Sequence, residues 1–401
     1  MLSDFELENL IQPFVDRQTN LEIYVLNTIA DRVREIGTLS KSDVYKLKQL
    51  LKTGTSARLL LKELNDLMSL QQKSVTQVFR EAGLTIYQDA KPFYEYRAIK
   101  QVPYADNKRL QKTITAISNE TAGTFKNLAN SKATGFYIRN ANNPQHLKFY
   151  NIQDAYQSVI DEAIQGVQTG ALTFDTAMRK TLKQLTDSGL RRMYWDSGYS
   201  RRLDSVVRMN ILGGIRKLNQ QIQLQIADEI EADGIELSAH SFSAPDHEPV
   251  QGRIFKIREF EKLQNEMSFE DVTGTKFSPI KRPIGEWNCN HFTQAVIIAQ
   301  HKPTWSLSEL AELKEENKKG YTTKTGKHYT MYECRQIQRK YETEIRKAKE
   351  GYMCSKTAKN EQLAEYYKAK ISDLNKQYRQ FSKDCGLNVK KDRTSVPNFM
   401  Y

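Results

Sequence analysis

Along most of the first ~235 residues, apolar side chains recur at steps of three and four, the period of an amphipathic helix, with breakers between the runs. Ser40 or Ser42 is placed to cap a helix through KSDVYKLKQLLK, and Ser56 opens another with Leu59, Leu60, Leu64, Leu67 and Met68 on one side. A further pattern runs Val78, Phe79, Ala82. Helical spacing returns at Ile114, Ile117 and Phe125, from Ile152 to Val167, and from Thr173 to Leu185, where Gly189 reads as a stop. After the turn-rich WDSGYSRRLD comes a long candidate from Asp204 to Ala232. Its Val207, Ile211, Ile215, Leu218, Ile222 and Ile226 mark one apolar face. There is no repeat of fixed period.

Between about Met193 and Ala299 the pattern changes to short apolar runs among proline, glycine and serine. Ile235-Glu236-Leu237-Ser238 and Arg253-Ile254-Phe255-Lys256-Ile257 alternate like short strands. Helix returns in the last hundred residues. Ser306 and Glu309 have capping-box spacing, and the helix they open is predicted to stop at Gly320. Beyond the polar turn YTTKTGKHYT, one stripe reads Met331, Cys334, Ile337, Tyr341, Ile345, Ala348, Tyr352. A second reads Leu363, Tyr367, Ile371, Leu374, Tyr378, Phe381, Cys385, ending at Gly386. The polar stretch Ser355–Asn360 is short enough to fold the two back on each other as an antiparallel hairpin, with Cys334 and Cys385 as small core residues on the seams. The pattern therefore predicts a mainly α protein with a small α+β domain: an N-terminal helical region (1–190), a central α+β domain with short strands and a long entry helix (191–300), and a basic C-terminal antiparallel helical hairpin (301–401).

Composition narrows the classes. The chain has 401 residues, 39% of them hydrophobic, with a mean hydropathy of −0.65. Its longest strongly apolar run, Ala295–Ala299, is far too short to span a bilayer, so no membrane role is expected. The acidic opening MLSDFELENL lacks the basic region of a secretory signal. Four unevenly spaced cysteines do not form a disulfide framework, and a reducing compartment is expected. Net charge is +12 and uneven: from His301 to Tyr401 there are 22 Lys and Arg against 13 Asp and Glu. Such a region suits a polyanion, through residues such as Arg335, Arg339, Lys340, Arg346 and Lys347, or is simply a solvated lysine-rich surface. Tyr366 and Tyr367, flanked by lysines, are the residues that would stack bases, although the seam position of Tyr367 favours core packing.

Candidate chemistry is concentrated in two loop-like segments. SAHSFSAPDHEPVQGRIF carries His240 and His247, and RPIGEWNCNH carries Cys289 and His291. Imidazole and thiolate are zinc ligands, and residues two apart on an extended segment point the same way, so these four form a candidate structural zinc site. Asp246 and Asn288 are candidate partners behind the ligands. The alternative is a hydrogen-bonded polar cluster that pins the loops. A His247, Asn288, His291 arrangement would suit a metal-dependent nuclease, but HExxH, GxSxG, a phosphate-binding glycine loop and a DFG set are all absent, and no catalysis is expected.

The same segments, with SGLRRMYWDSGYSRRLDSVVRMNILGGI upstream and YTMYECRQIQRKYETEIRKAK and YRQFSKDCGLNVKKDR downstream, closely resemble the phage minor capsid protein 2 family, which is related to the MuF-type head morphogenesis proteins. The resemblance covers roughly Leu172 to Arg393. This chain has Ser243-Ala244 where related proteins often carry Ala-Arg, and Cys289-Asn290-His291 where the wider MuF group often has Cys-x-Cys; both patterns offer zinc ligands. The resemblance implies a virion protein made in the host bacterial cytoplasm and carried in the phage head interior. There it would act with the portal protein and inner capsid in assembly, DNA packaging or ejection, with no enzyme activity. The alternative is a DNA-binding module whose primary partner is double-stranded DNA.

Overall fold

The computed structural model of the chain describes residues 4–36, 55–128, 132–140, 143–169, 171–194, 196–286 and 289–400. It is mainly helical, with small antiparallel sheets of few strands, as the hydrophobic pattern predicts. The helix expected through KSDVYKLKQLLK lies outside the described residues, as do the side chains of Leu59, Leu60, Leu64, Leu67 and Met68, although their backbone belongs to the helix Thr55–Gln88. No described helix is long and apolar enough to cross a membrane.

Contacts group the chain into two compact units. One contains residues 1–11, 73–123 and 209–337; the other contains 12–72, 124–208 and 338–401. The divisions read from the sequence at 190 and 300 follow the chain, whereas each unit is assembled from three separate stretches.

The first unit is built around the long helix Leu203–Glu229, whose residues from 209 onward belong to it. Ile211, Ile215, Leu218, Ile222 and Ile226 are buried, as the apolar face predicts. Gly214 allows close packing on this helix, because a Cβ there would lie 2.5 Å from both Phe79 and Thr121. A three-stranded antiparallel sheet of order Ile254–Lys256, Gly234–Leu237, Thr293–Val296 lies alongside. The helix also finishes the sheet edge: Asn219 Oδ1 accepts from the Thr293 N–H (3.0 Å) and Gln223 Oε1 from the Ala295 N–H (2.9 Å). These bonds satisfy backbone donors that an open edge would leave free. Ser306 and Glu309 form the expected capping box on Leu307–Lys319, and the helix ends at Gly320. The polar turn that follows is a small hairpin pairing Tyr321–Thr322 with His328–Tyr329.

The second unit contains an element that the helical pattern does not announce. Thr134–Asn140 and Asn143–Asn151 form an antiparallel hairpin within a four-stranded sheet that also includes Arg191–Tyr194 and Tyr199–Arg202. Phe136 and Ile138 alternate inward on it, and the helices Ile152–Gln168 and Phe174–Ser188 pack against it. The helical hairpin forms as expected. Met331–Thr357 is followed by a short turn, and Asn360 caps Glu361–Asp384 by accepting from the Leu363 N–H. Within this unit the seam includes Tyr341 against Phe381 and the Tyr378 hydroxyl on Glu342, while Gly351 leaves room for the Tyr367 ring. Cys334 and Cys385 are buried.

A buried charge cluster also lies within the second unit. Arg202 pairs with Glu22 (3.0 Å), Glu350 (2.9 Å) and Asp204 (3.5 Å), and Arg346 pairs with Asp204 (2.9 Å). Gly189 borders it, and a Cβ there would lie 2.3 Å from the Arg202 guanidinium.

Candidate metal centre

Sheet topology brings the candidate ligands together. The central strand Gly234–Leu237 runs antiparallel to both neighbours, so its exit lies beside their entrances. Residues just after Leu237, just before Ile254 and just before Thr293 therefore converge at one end of the sheet. Those segments carry His240, His247, and Cys289 with His291. Their backbones are tied: the Ser238 N–H donates to the Phe292 carbonyl and the Phe292 N–H to the Ser238 hydroxyl, both at 2.9 Å. A helical turn from Ala244 to Gln251 closes on the His247 carbonyl, which accepts from the Val250 and Gln251 N–H groups.

His247, Cys289 and His291 are buried, and one ligand atom from each lies within 4.8 Å of the others. The edges of a tetrahedral N/S zinc site are roughly 3.3–3.7 Å, so about 1 Å of contraction would close the set. His247 Nε2 is 2.7 Å from the Arg282 carbonyl, which can only accept; Nε2 therefore carries the proton and Nδ1 presents a lone pair. That buried Nδ1 has no hydrogen-bond partner among the described residues. A histidine that donates one N–H to a carbonyl and keeps its other nitrogen buried and unpartnered has the usual posture of a metal ligand. His291 Nδ1 is 3.3 Å from Cys289 Sγ, and its Nε2 faces Gln251 Oε1 at 3.4 Å and Ser243 Oγ at 3.5 Å.

Electrostatics keep both imidazoles neutral. Burial holds the His247 pKa down, and burial followed by His240 and His247 pushes His291 well below the ordinary histidine value. Burial raises the Cys289 thiol above its usual range. Two neutral imidazoles and a thiol fit a structural zinc, which would take the thiolate and release its proton on binding.

The fourth candidate, His240, is only partly buried. Its ring packs 4.5 Å from that of His291, and Nδ1 is 2.9 Å from the Ser241 carbonyl, so it lies beside the three-residue set. Asp246 stands behind the ligands, 3.7 Å from His247 Nε2, and grips Arg282 through both carboxylate oxygens (2.7 and 3.0 Å). Asn288 lies outside the described residues. Arg216, which donates to Asn290 Oδ1 at 2.5 Å, together with Asn219 and Gln223, forms the polar row that anchors the Cys289–Val296 segment to the long helix. These three escaped the sequence reading because polar residues on a helix ordinarily mark its solvent face. Their recurrence at steps of three and four is the only signal that they share a side.

The expected nucleic-acid residues are largely engaged. Arg346 is committed to Asp204 and the Arg393 carbonyl, and Lys347 to Glu344. Arg335 and Arg339 are half-buried and Lys340 is exposed. Tyr367 is buried with its hydroxyl on Thr186, and Tyr366 has the Lys183 ammonium 5.0 Å over its ring.

A family model described as phage minor capsid protein 2 matches residues 2–383, nearly the whole chain and parts of both units. No curated protein and no solved structure matches.

Proposed function

The chain belongs to the phage minor capsid protein 2 family and is thus a structural phage protein, and from that premise we propose that it is built into the phage head, where it works with the portal protein and the inner capsid face during assembly, DNA packaging or ejection. The family match across residues 2–383 carries this reading. The expected setting is the head interior, after synthesis in the host cytoplasm, with no enzymatic step assigned. Cross-linking mass spectrometry on purified heads tests it. Cross-links from this chain to the portal protein are expected; its absence from heads, or cross-links confined to tail proteins, would overturn the reading.

The small domain of such a protein is held by a structural zinc on His247, Cys289 and His291, with His240 as the fourth ligand. The buried, unpartnered Nδ1 of His247 is the observation that supports the metal over a simple polar cluster. Elemental analysis of purified protein should find one zinc per chain, and His291→Ala or Cys289→Ser should abolish it. A structural zinc contributes on the order of 10 kcal/mol, so chelation should also lower the melting temperature markedly. Zinc-free protein that melts at the same temperature with and without added zinc would leave the polar cluster as the right description.

A further inference from the structure

The cations left open in the second unit lie elsewhere than the sequence suggests. A groove of about 1090 Å³ runs between the helix Glu361–Asp384 and the segment 389–399 that folds back along it. Six basic residues line it (Lys349, Lys368, Lys376, Arg379, Lys383 and Lys391), and no acidic residue does. Two of the six are accounted for. Lys349 holds the returning segment through the Thr394 carbonyl at 2.8 Å, and Lys368 lies 3.7 Å from Glu365. Lys376, Arg379, Lys383 and Lys391 are exposed and make no ion pair among the described residues. The nearby acids are turned to other partners: Asp373 and Asp384 accept from Gln377 and Gln380 at 2.7 Å.

We infer that this groove binds the phosphate backbone of double-stranded DNA without reading its sequence, an assignment that names a partner for the proposed head protein and rests on that reading for its setting. Lys376, Arg379 and Lys383 follow one another at steps of three and four, so they form a row spaced roughly 5 Å apart on one helix face. Ser372, Asn375 and Ser395 add neutral donors between the cations. Mixed Lys/Arg and Ser/Asn donors are the usual partners of phosphodiester oxygens and fix position without sequence information. A single strand would need a free aromatic face for its bases. The groove offers none: Tyr378 is buried with its hydroxyl shared between Glu342 and the Lys390 N–H, and the Phe399 ring is covered by Lys349 at 5.0 Å and Tyr352 at 5.8 Å. The lack of a free aromatic face among the lining residues thus favours a duplex backbone over a single strand.

The test is fluorescence anisotropy on the purified full chain with a random-sequence duplex, over roughly 50–200 mM salt. The substituted chain carries Lys376→Glu, Arg379→Glu and Lys383→Glu. A control carries Lys314→Glu, Lys319→Glu and Lys324→Glu, exposed positions in the other unit with the same change in net charge. Groove reversal should weaken duplex binding at least about tenfold and flatten the salt slope by about 2.7, or roughly 0.9 per lost phosphate contact, while the control stays near the parent. Equal loss in the control, tighter binding of a matched single strand, equal binding of polyglutamate, or no duplex binding by the parent would each overturn the inference. Circular dichroism and melting of all three chains separate lost binding from lost folding. Because the assay uses isolated protein, its failure leaves the head cross-links standing, and a failure of the cross-links leaves the binding result standing.

Discussion

Glu22 is the side chain whose environment most alters its chemistry. It is fully buried, accepts from the Leu190 N–H at 2.9 Å and pairs with Arg202. Three carboxylates share the cluster with two guanidiniums, and the next cation, Arg191, is taken up by Ser200. Burial first, and then Glu350 and Asp204 against the opposing pull of Arg202, push the Glu22 pKa up to about 8. Asp204, set between Arg202 and Arg346, is held well below the usual carboxylate range. The two therefore act with opposite sign. For Glu22 the folded state holds a proton that the unfolded state has released, so its contribution is complete below the unfolded value and falls by about 1.4 kcal/mol per pH unit as pH rises toward about 8. The Asp204 contribution is present above the ordinary aspartate value and is lost only in acid. Replacing Glu22 by Gln, which keeps an acceptor for Leu190, should leave stability at pH 5 little changed and raise it relative to the parent at pH 8 in urea unfolding. Parallel stability curves for the two chains would show that Glu22 is ionised in the fold. None of this was legible in the sequence, where Glu22 is one acid in a helix and its partners are far along the chain. The metal candidates were legible, because His and Cys are scarce and the two loops carrying them flank recognisable strand patterns. What the sequence lacked was the reason they meet, the antiparallel order that places one strand's exit between two entrances.

At the scale of elements, the turn chemistry was the most readable. Gly189 and Gly320 stop their helices, and Gly386 follows the last one closely, each at positive φ. At Gly320, φ is 43° and a Cβ would lie 1.9 Å from the Tyr329 carbonyl oxygen. Gly326 also has positive φ but opens onto free space. Gly320→Ala should therefore cost roughly 1–3 kcal/mol more than Gly326→Ala in chemical denaturation, the excess measuring the close approach apart from the backbone angle. Ser306→Ala, which removes the capping box, should cost about 1 kcal/mol. The strand pair Thr134–Asn151 escaped because it lies in the interval between Phe125 and Ile152 where helical spacing lapses. On the first strand only Phe136 and Ile138 alternate inward, and Phe149, paired with Tyr137, lies on the other face, so no alternation long enough to announce a sheet appears. The coiled-coil-like seams of the last hundred residues were read correctly because their apolar stripes are long and unbroken. The charged face opposite them was not, since charge counts do not say which cations are already paired.

For the whole molecule, the decisive fact is that neither unit is a continuous piece of chain. The segment 301–401 reads as a separate hairpin domain, yet its first part belongs to one unit and the rest to the other. A chain ending at residue 300 should thus lose part of both cores and be recovered as insoluble or unfolded material, judged by circular dichroism and proteolysis. A soluble, cooperatively melting fragment would instead support separable domains. The buried charge cluster gives this interleaving a temporal meaning. Glu22 is 180 residues from Arg202, and Arg202 a further 148 from Glu350. At about 5–20 residues per second, Glu22 leaves the ribosome some 15–65 s before Glu350 is made. Its partners come in stages: the Leu190 N–H and Arg202 are made first, and Glu350, which completes the cluster, comes 148 residues after Arg202. The charge cluster can accordingly close only once residue 350 of 401 has been made, a delay written into the order of the chain's own residues.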